Sequence, residues 1–170
     1  TKDRHKIKDY LNELNEQISL VDDVKDFVLY ENLSIDSKHE NTRAYLKIQD
    51  GCNNFCSYCI IPYVRGTIKS RSKEEVIKEA KHLLSLGYKE IVLTGIHTGS
   101  YGKDLDGYPF SSLVEDLLEL DDLYRLRISS IEESEIDDKL IELLKYLNKI
   151  QINSYYIRKG CIVWIILKIL

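Results

Sequence analysis

From Ala44 onward the apolar positions switch regularly between two spacings, and the switching predicts the elements. AYLKI (44–48) reads as a short strand running into the turn Asp50-Gly51. Ser72 begins an S-x-x-E box with Glu75, a pairing that satisfies free backbone N–H groups where a helix starts. Val76, Ile77, Ala80, Leu83 and Leu84 then fall on one helical face. Gly87 stands where a left-handed residue would end that helix. EIVLTG (90–95) is apolar and rich in β-branched residues, as suits a buried strand. PFSSLVEDLLEL (109–120) returns to helical spacing, and YRLRISSI (124–131) is a third strand. Ser134 opens a third helix, with Ile136, Leu140, Leu143, Leu144 and Leu147 on its apolar face. The order β-α-β-α-β-α with short connections implies parallel strands and right-handed crossovers, an α/β fold. Three strands leave edges that a fourth should cover.

The two ends of the chain read differently. Residues 1–43 are polar, with helical spacing at Ile7, Tyr10, Leu11 and Leu14 and a β-like patch at Phe27-Val28-Leu29-Tyr30. They are too few and too polar for a core of their own, and read as a linker or the remnant of an upstream domain. The last stretch, QINSYYIRKGCIVWIILKIL, shows neither period, and eight of its final nine residues are apolar. It is either a fully buried strand or sequence foreign to this fold, such as a frameshift product. The expected division is therefore 1–43, a core over 44–150, and an atypical tail over 151–170.

Composition narrows the function classes. The chain has 170 residues and a net charge of −4, so no global basic field points to nucleic acid or to an anionic membrane. The charged start, TKDRHKIKDY, lacks the apolar stretch of a secretory signal. The apolar run at the end is far below the ~20 residues that cross a bilayer. A cytoplasmic protein without a membrane partner is expected, and there clustered thiols read as metal ligands rather than disulfides.

Three of the four cysteines crowd into DGCNNFCSYCIIPYVRG as C-x-x-x-C-x-x-C, directly after a predicted strand. That is the end of the sheet where α/β proteins place their chemistry. Structural zinc would need four ligands, in C-x-x-C pairs or with histidines at set spacings. The second pair is missing, and His39, His82 and His97 have no ligand spacing. A ferredoxin-type carrier would use four cysteines with a shorter first gap. Inert buried cysteines would not need this spacing. The fourth reading is a cubane iron–sulfur cluster on Cys52, Cys56 and Cys59, in which one iron lacks a protein ligand. That iron is then free to chelate S-adenosylmethionine, and Tyr58 supplies an aromatic ring beside the last cysteine.

AYLKIQDGCNNFCSYCIIPYVRG with Ser70-Arg71 after it, LTGIHTGSYG (93–102) and RLRISSIE (125–132) resemble, in order and separation, the blocks of the radical S-adenosylmethionine methylthiotransferases. The resemblance covers about residues 1–147. GIHTGSYG is most similar to the branch that methylthiolates C2 of N6-threonylcarbamoyladenosine at position 37 of tRNA, in the anticodon loop. The branch acting on a ribosomal-protein aspartate is the alternative within the family, and a non-catalytic metal-binding piece is the alternative outside it. The resemblance implies a partial, TIM-like radical-SAM barrel made of its first three βα units. It implies a [4Fe–4S] cluster on Cys52, Cys56 and Cys59, bound S-adenosylmethionine and an external electron donor. It places Tyr58 near the adenine, Gly95 where the methionine amino group approaches, and Ser129 and Ser130 facing the ribose. Family members also carry an upstream domain with three more cysteines, the rest of the barrel and a small RNA-binding domain. Without these, the chain is expected to be inactive alone.

Between Ile60 and Lys73 lie four basic residues, Arg65, Lys69, Arg71 and Lys73, and no acidic one. Arg65 and Arg71 are the pair expected to clamp RNA phosphate or the cofactor carboxylate, since guanidinium binds oxyanions in bidentate fashion. His97 reads as a satisfied polar residue of its turn.

Overall fold

The computed structural model describes residues 6–12, 23, 30, 42–146, 150–158 and 161–165. After a short helix α1 (Ile7–Asn12), whose Ile7 and Leu11 are exposed, the sheet begins with β1 (Arg43–Lys47). Two-residue strands β2 (Gln49–Asp50) and β3 (Lys69–Ser70) flank a loop that holds α2 (Ile61–Arg65). The core units are α3 (Lys73–Ser85), β4 (Glu90–Thr94), α4 (Phe110–Leu118), β5 (Arg125–Ser129) and α5 (Asp138–Tyr146). Two further strands follow, β6 (Ile150–Arg158) and β7 (Cys161–Ile165). The main sheet runs β1-β4-β5-β6-β7. Its first three ladders are parallel, and β6 with β7 is antiparallel. The α/β reading and the three βα units hold, and the fourth parallel strand covers the edge of β5.

Local chemistry sets the boundaries. The Ser72 hydroxyl accepts the Glu75 N–H at 3.4 Å and opens α3. At its other end Gly87, in the left-handed region, donates to Leu84 O and Tyr88 donates to Leu83 O, a Schellman closure. Ser72→Ala is expected to cost about 1 kcal/mol in a denaturant melt, the usual worth of such a cap. The third helix starts later than its sequence suggested. Ser134 sits in a separate 3₁₀ turn (Glu133–Glu135), and the helix is capped by Asp137, whose carboxylate accepts the Leu140 N–H at 2.7 Å. A carboxylate aimed at a free helix N–H outcompetes the upstream serine. The patch at 27–29 and Leu14 and Leu147 lie outside the described residues.

One face of the sheet is dry. Ala44 and Leu46 of β1, Ile91 and Leu93 of β4, and Leu126 and Ile128 of β5 pack under Val76, Ala80, Leu83, Leu113, Leu117 and Leu140 of the three helices. The other face is mixed and carries the charged side chains of these strands, as strand alternation allows. Arg43, Glu90 and Arg125 form one row across the three strands, joined by ion pairs at 3.7 Å and 3.4 Å. Tyr45, Val92 and Arg127 form the next. Parallel strands also bring the segments after β1, β4 and β5 to one end of the sheet, where the cysteines are. Among the described residues no helix is long and apolar enough to cross a membrane.

Candidate cofactor site

The cysteine loop is an excursion tied at its base. Gln49 pairs with Ser70 and Asp50 with Lys69 in an antiparallel ladder. Above it Cys52 N–H donates to Gly66 O at 3.1 Å, and Ile68 N–H donates to Asn53 Oδ1 at 3.1 Å. Gly51 is left-handed (φ 71°), and a Cβ there would lie 1.9 Å from Thr67 O, so only glycine lets the two sides close. Burial alone would raise the Asp50 carboxyl, but the Lys47 ammonium at 2.6 Å and the Gly51 N–H at 2.8 Å hold it below its ordinary value. A fixed anion therefore sits at the foot of the loop.

The three thiols are free. Cys56 is exposed, while Cys52 and Cys59 are half-buried. A turn with Cys59 N–H donating to Cys56 O at 2.9 Å brings the last two together. Between the first two, Phe55 takes a left-handed backbone (φ 44°), and its ring meets Tyr63 edge-on at 5.6 Å. The Cys52 sulfur accepts the Asn54 N–H at 3.5 Å. Burial pushes the Cys52 thiol above its ordinary value, and the neighbouring Cys56 and Cys59 push it further the same way. Tyr58 stands out from the loop, 73% exposed, with its phenol raised chiefly by the charge of Cys56.

The donor set suits a cluster. Among the described residues no group of three His, Cys, Asp or Glu side chains is placed to hold a single metal ion. A cubane does not need such convergence, because each thiolate takes a different corner and soft thiolates suit iron and sulfide.

Beneath the loop lies a buried polar network that the sequence did not reveal. His97 follows β4, and its Nδ1 is 2.9 Å from Ser100 Oγ, 3.5 Å from Asn54 Nδ2 and 3.9 Å from Cys52 Sγ. Its Nε2 lies 2.8 Å from Glu135 Oε2, close enough for an ion pair although not aligned as a hydrogen bond. Ser100 Oγ donates to Glu135 Oε1 at 2.8 Å, and the Lys103 ammonium reaches the same oxygen at 2.9 Å. Burial alone would raise the Glu135 carboxyl, but contacts from His97, Lys103 and Ser100 outweigh it and bring it to about 2. The folded value lies below the ordinary 4.5, so the stability from this group is complete above 4.5 and lost as pH falls toward 2. Glu135→Gln is therefore expected to lower stability at neutral pH and to flatten the fall between pH 4.5 and 2, read from melts across that range.

The other expected site residues are placed as follows. Gly95 packs against Gln49. Ser129 Oγ donates to Leu93 O at 2.8 Å, and Ser130, exposed and left-handed (φ 54°), ends β5 beside the turn of His97. Its carbonyl accepts the Thr98 N–H at 2.9 Å. Arg65 and Arg71 are not placed side by side facing outward. Arg65 is half-exposed and 3.4 Å from Asp50. The Arg71 guanidinium is buried, 2.5 Å from the equally buried Glu79 of α3. Lys69 is buried against Arg65 O and Lys73 pairs with Asp116, so of the four basic residues Arg65 faces solvent at the loop itself.

Comparison with known proteins accords with this geometry. The family described as the Radical SAM superfamily matches residues 46–157. A threonylcarbamoyladenosine tRNA methylthiotransferase, MtaB, of Bacillus subtilis (strain 168) is 47% identical over 154 residues, 88% of this chain and 34% of that protein. A tRNA-2-methylthio-N(6)-dimethylallyladenosine synthase of Carboxydothermus hydrogenoformans is 42% identical over 114 residues, 66% of this chain and 26% of that protein. The solved structure of the radical S-adenosylmethionine methyltransferase TsrM from Kitasatospora setae, with cobalamin and a [4Fe–4S] cluster bound, aligns with a TM-score of 0.51. It shares 20% identity over 67% of this chain and 22% of that one, a likeness of fold. The chain spans about a third of the length of the MtaB relative. With a family match across most of the core and three free thiols at the carboxyl end of its parallel strands, the chain belongs to the radical SAM superfamily.

Proposed function

We propose that this chain is the cofactor-binding part of a methylthiotransferase that modifies an adenosine of tRNA, adding a methylthio group at C2 of N6-threonylcarbamoyladenosine. The observation that carries the reading is the loop of Cys52, Cys56 and Cys59, set at the carboxyl ends of β1 and β4, in a chain 47% identical to a protein named for that reaction. A [4Fe–4S] cluster held by Cys52, Cys56 and Cys59 would bind S-adenosylmethionine and supply the electron for its cleavage.

The chain's own residues bind and orient. Cys52, Cys56 and Cys59 hold the cluster, and the exposure of Cys56 gives iron and sulfide access. Tyr58, projecting beside Cys56, offers its ring to the adenine, and Ser129 and Ser130 at the end of β5 face the ribose. Arg65 is the cation available to a phosphate or carboxylate at the loop. Full activity involves the tRNA anticodon loop and a cytoplasmic electron donor.

Anaerobic reconstitution with iron and sulfide, with electron paramagnetic resonance before and after adding S-adenosylmethionine, tests the reading. About four irons per chain and a reduced signal that changes with the cofactor are expected. Tight zinc in place of iron, in a folded chain, would falsify it.

A further inference from the structure

We propose that Gln49 is the positioning residue that sets the cysteine loop against the turn after β4, and that position 95 is glycine because the Gln49 side chain occupies the space. The proposal rests on the cluster-binding reading above. Gln49 is fully buried, and both of its polar side-chain atoms are engaged. Its Nε2 donates to Asp50 O and to Gly51 O, each at 2.7 Å. Its Oε1 accepts the His97 N–H at 2.9 Å. The first two bonds hold the entrance of the cysteine loop, at the two residues before Cys52. The third holds the turn whose His97 ring lies 3.9 Å from the Cys52 sulfur. One neutral amide therefore spans both segments that flank the candidate cluster.

Gly95 answers to the same side chain. It is not among the glycines with a left-handed backbone, so conformation does not demand glycine there. Space does. A Cβ at 95 would lie 2.8 Å from Gln49 Oε1 and 3.2 Å from both its Cβ and its backbone oxygen. All three nearest atoms belong to Gln49. Alanine at 95 would push the amide off its bonds to the loop and to His97 without touching a thiol. Gln49→Glu acts on the same bonds with almost no change of volume, because it turns a carboxylate oxygen toward two carbonyl oxygens that now receive N–H donors.

The full chain carrying Q49E, Q49A, G95A and Q49A/G95A tests this in two ways. The first is thermal melting without iron, read as a double-mutant cycle. The shift caused by G95A is expected to shrink in the Q49A background, since contacting residues couple where distant ones add. The second is the resonance change on titrating S-adenosylmethionine into the reconstituted chain. Q49E and G95A are expected to take up iron yet to need about tenfold or more cofactor, the usual scale for residues that orient a ligand shell. An equal G95A shift in both backgrounds, or a Q49E titration matching the unchanged chain, overturns the proposal. Should Q49E not fold, Gln49→Met, which keeps bulk and removes both polar atoms, carries the second test. If the unchanged chain binds no iron, the cluster reading fails, and the melting cycle still decides whether Gly95 answers to Gln49.

Discussion

Cys56→Ala should leave a folded chain that no longer assembles its cluster. Cys56 is exposed and lies outside the apolar core, so the variant is expected to melt within about 0.5 kcal/mol of the unchanged chain. Its effect falls on metal. With one of three thiolates gone, iron after anaerobic reconstitution is expected to drop from about four per chain to a small fraction of that, and the cofactor-dependent signal should vanish. The pairing of an unchanged melt with lost iron is the diagnostic. A variant that kept full iron would move the ligand role away from this loop. Cys52→Ala makes a less clean test, because its half-buried sulfur also accepts the Asn54 N–H.

Breaking the Arg71–Glu79 pair should be the largest stability effect of a single polar substitution. Both side chains are almost fully buried, at 7% and 6% exposure, and 2.5 Å apart. Removing one partner leaves the other charge in a dry site, a situation that costs about 3–5 kcal/mol. Against a typical net stability of about 5–15 kcal/mol, that is a large share. Glu79→Ala is therefore expected to shift a denaturant midpoint strongly. Replacing both residues with leucine should cost less than either single change, since no orphaned charge remains. Equal and additive losses would show that the pair is not coupled. The same logic bears on Arg71 as an RNA clamp: its loss is expected to be felt in folding before it is felt in binding.

The elements that sequence made legible are those with a long enough period or a local signature. The five apolar positions of α3, its Ser72 cap and Gly87 fixed that helix nearly to the residue. The strands at 43–47, 90–94 and 125–129 stood out because each alternates or runs apolar between clear breaks. The β2–β3 ladder did not, because two residues carry no period. The start of β6 alternates only over Ile150-Gln151-Ile152-Asn153, too short a run to stand out from the tail around it. At the site, the cysteine spacing was readable, but the polar frame beneath it was not. Gln49 follows a strand and precedes Asp-Gly, so it looks like a turn residue, and only the fold shows that it is enclosed. A clue to the Arg71 pair was present. Glu79 falls at helical spacing among Val76, Ala80 and Leu83, and an acidic residue on an apolar face requires a buried partner.

The tie at the base of the cysteine loop also sets an order in time. During synthesis a chain emerges from its amino end, and nearby segments can pair before distant ones exist. Gln49 and Asp50 need only the loop itself to have emerged for Ser70 and Lys69 to be within reach. One partner that fastens this loop to the sheet, the His97 N–H, arrives only after α3 and β4. The thiols can thus be drawn together by local pairing before the turn of His97 exists to seat them against the sheet.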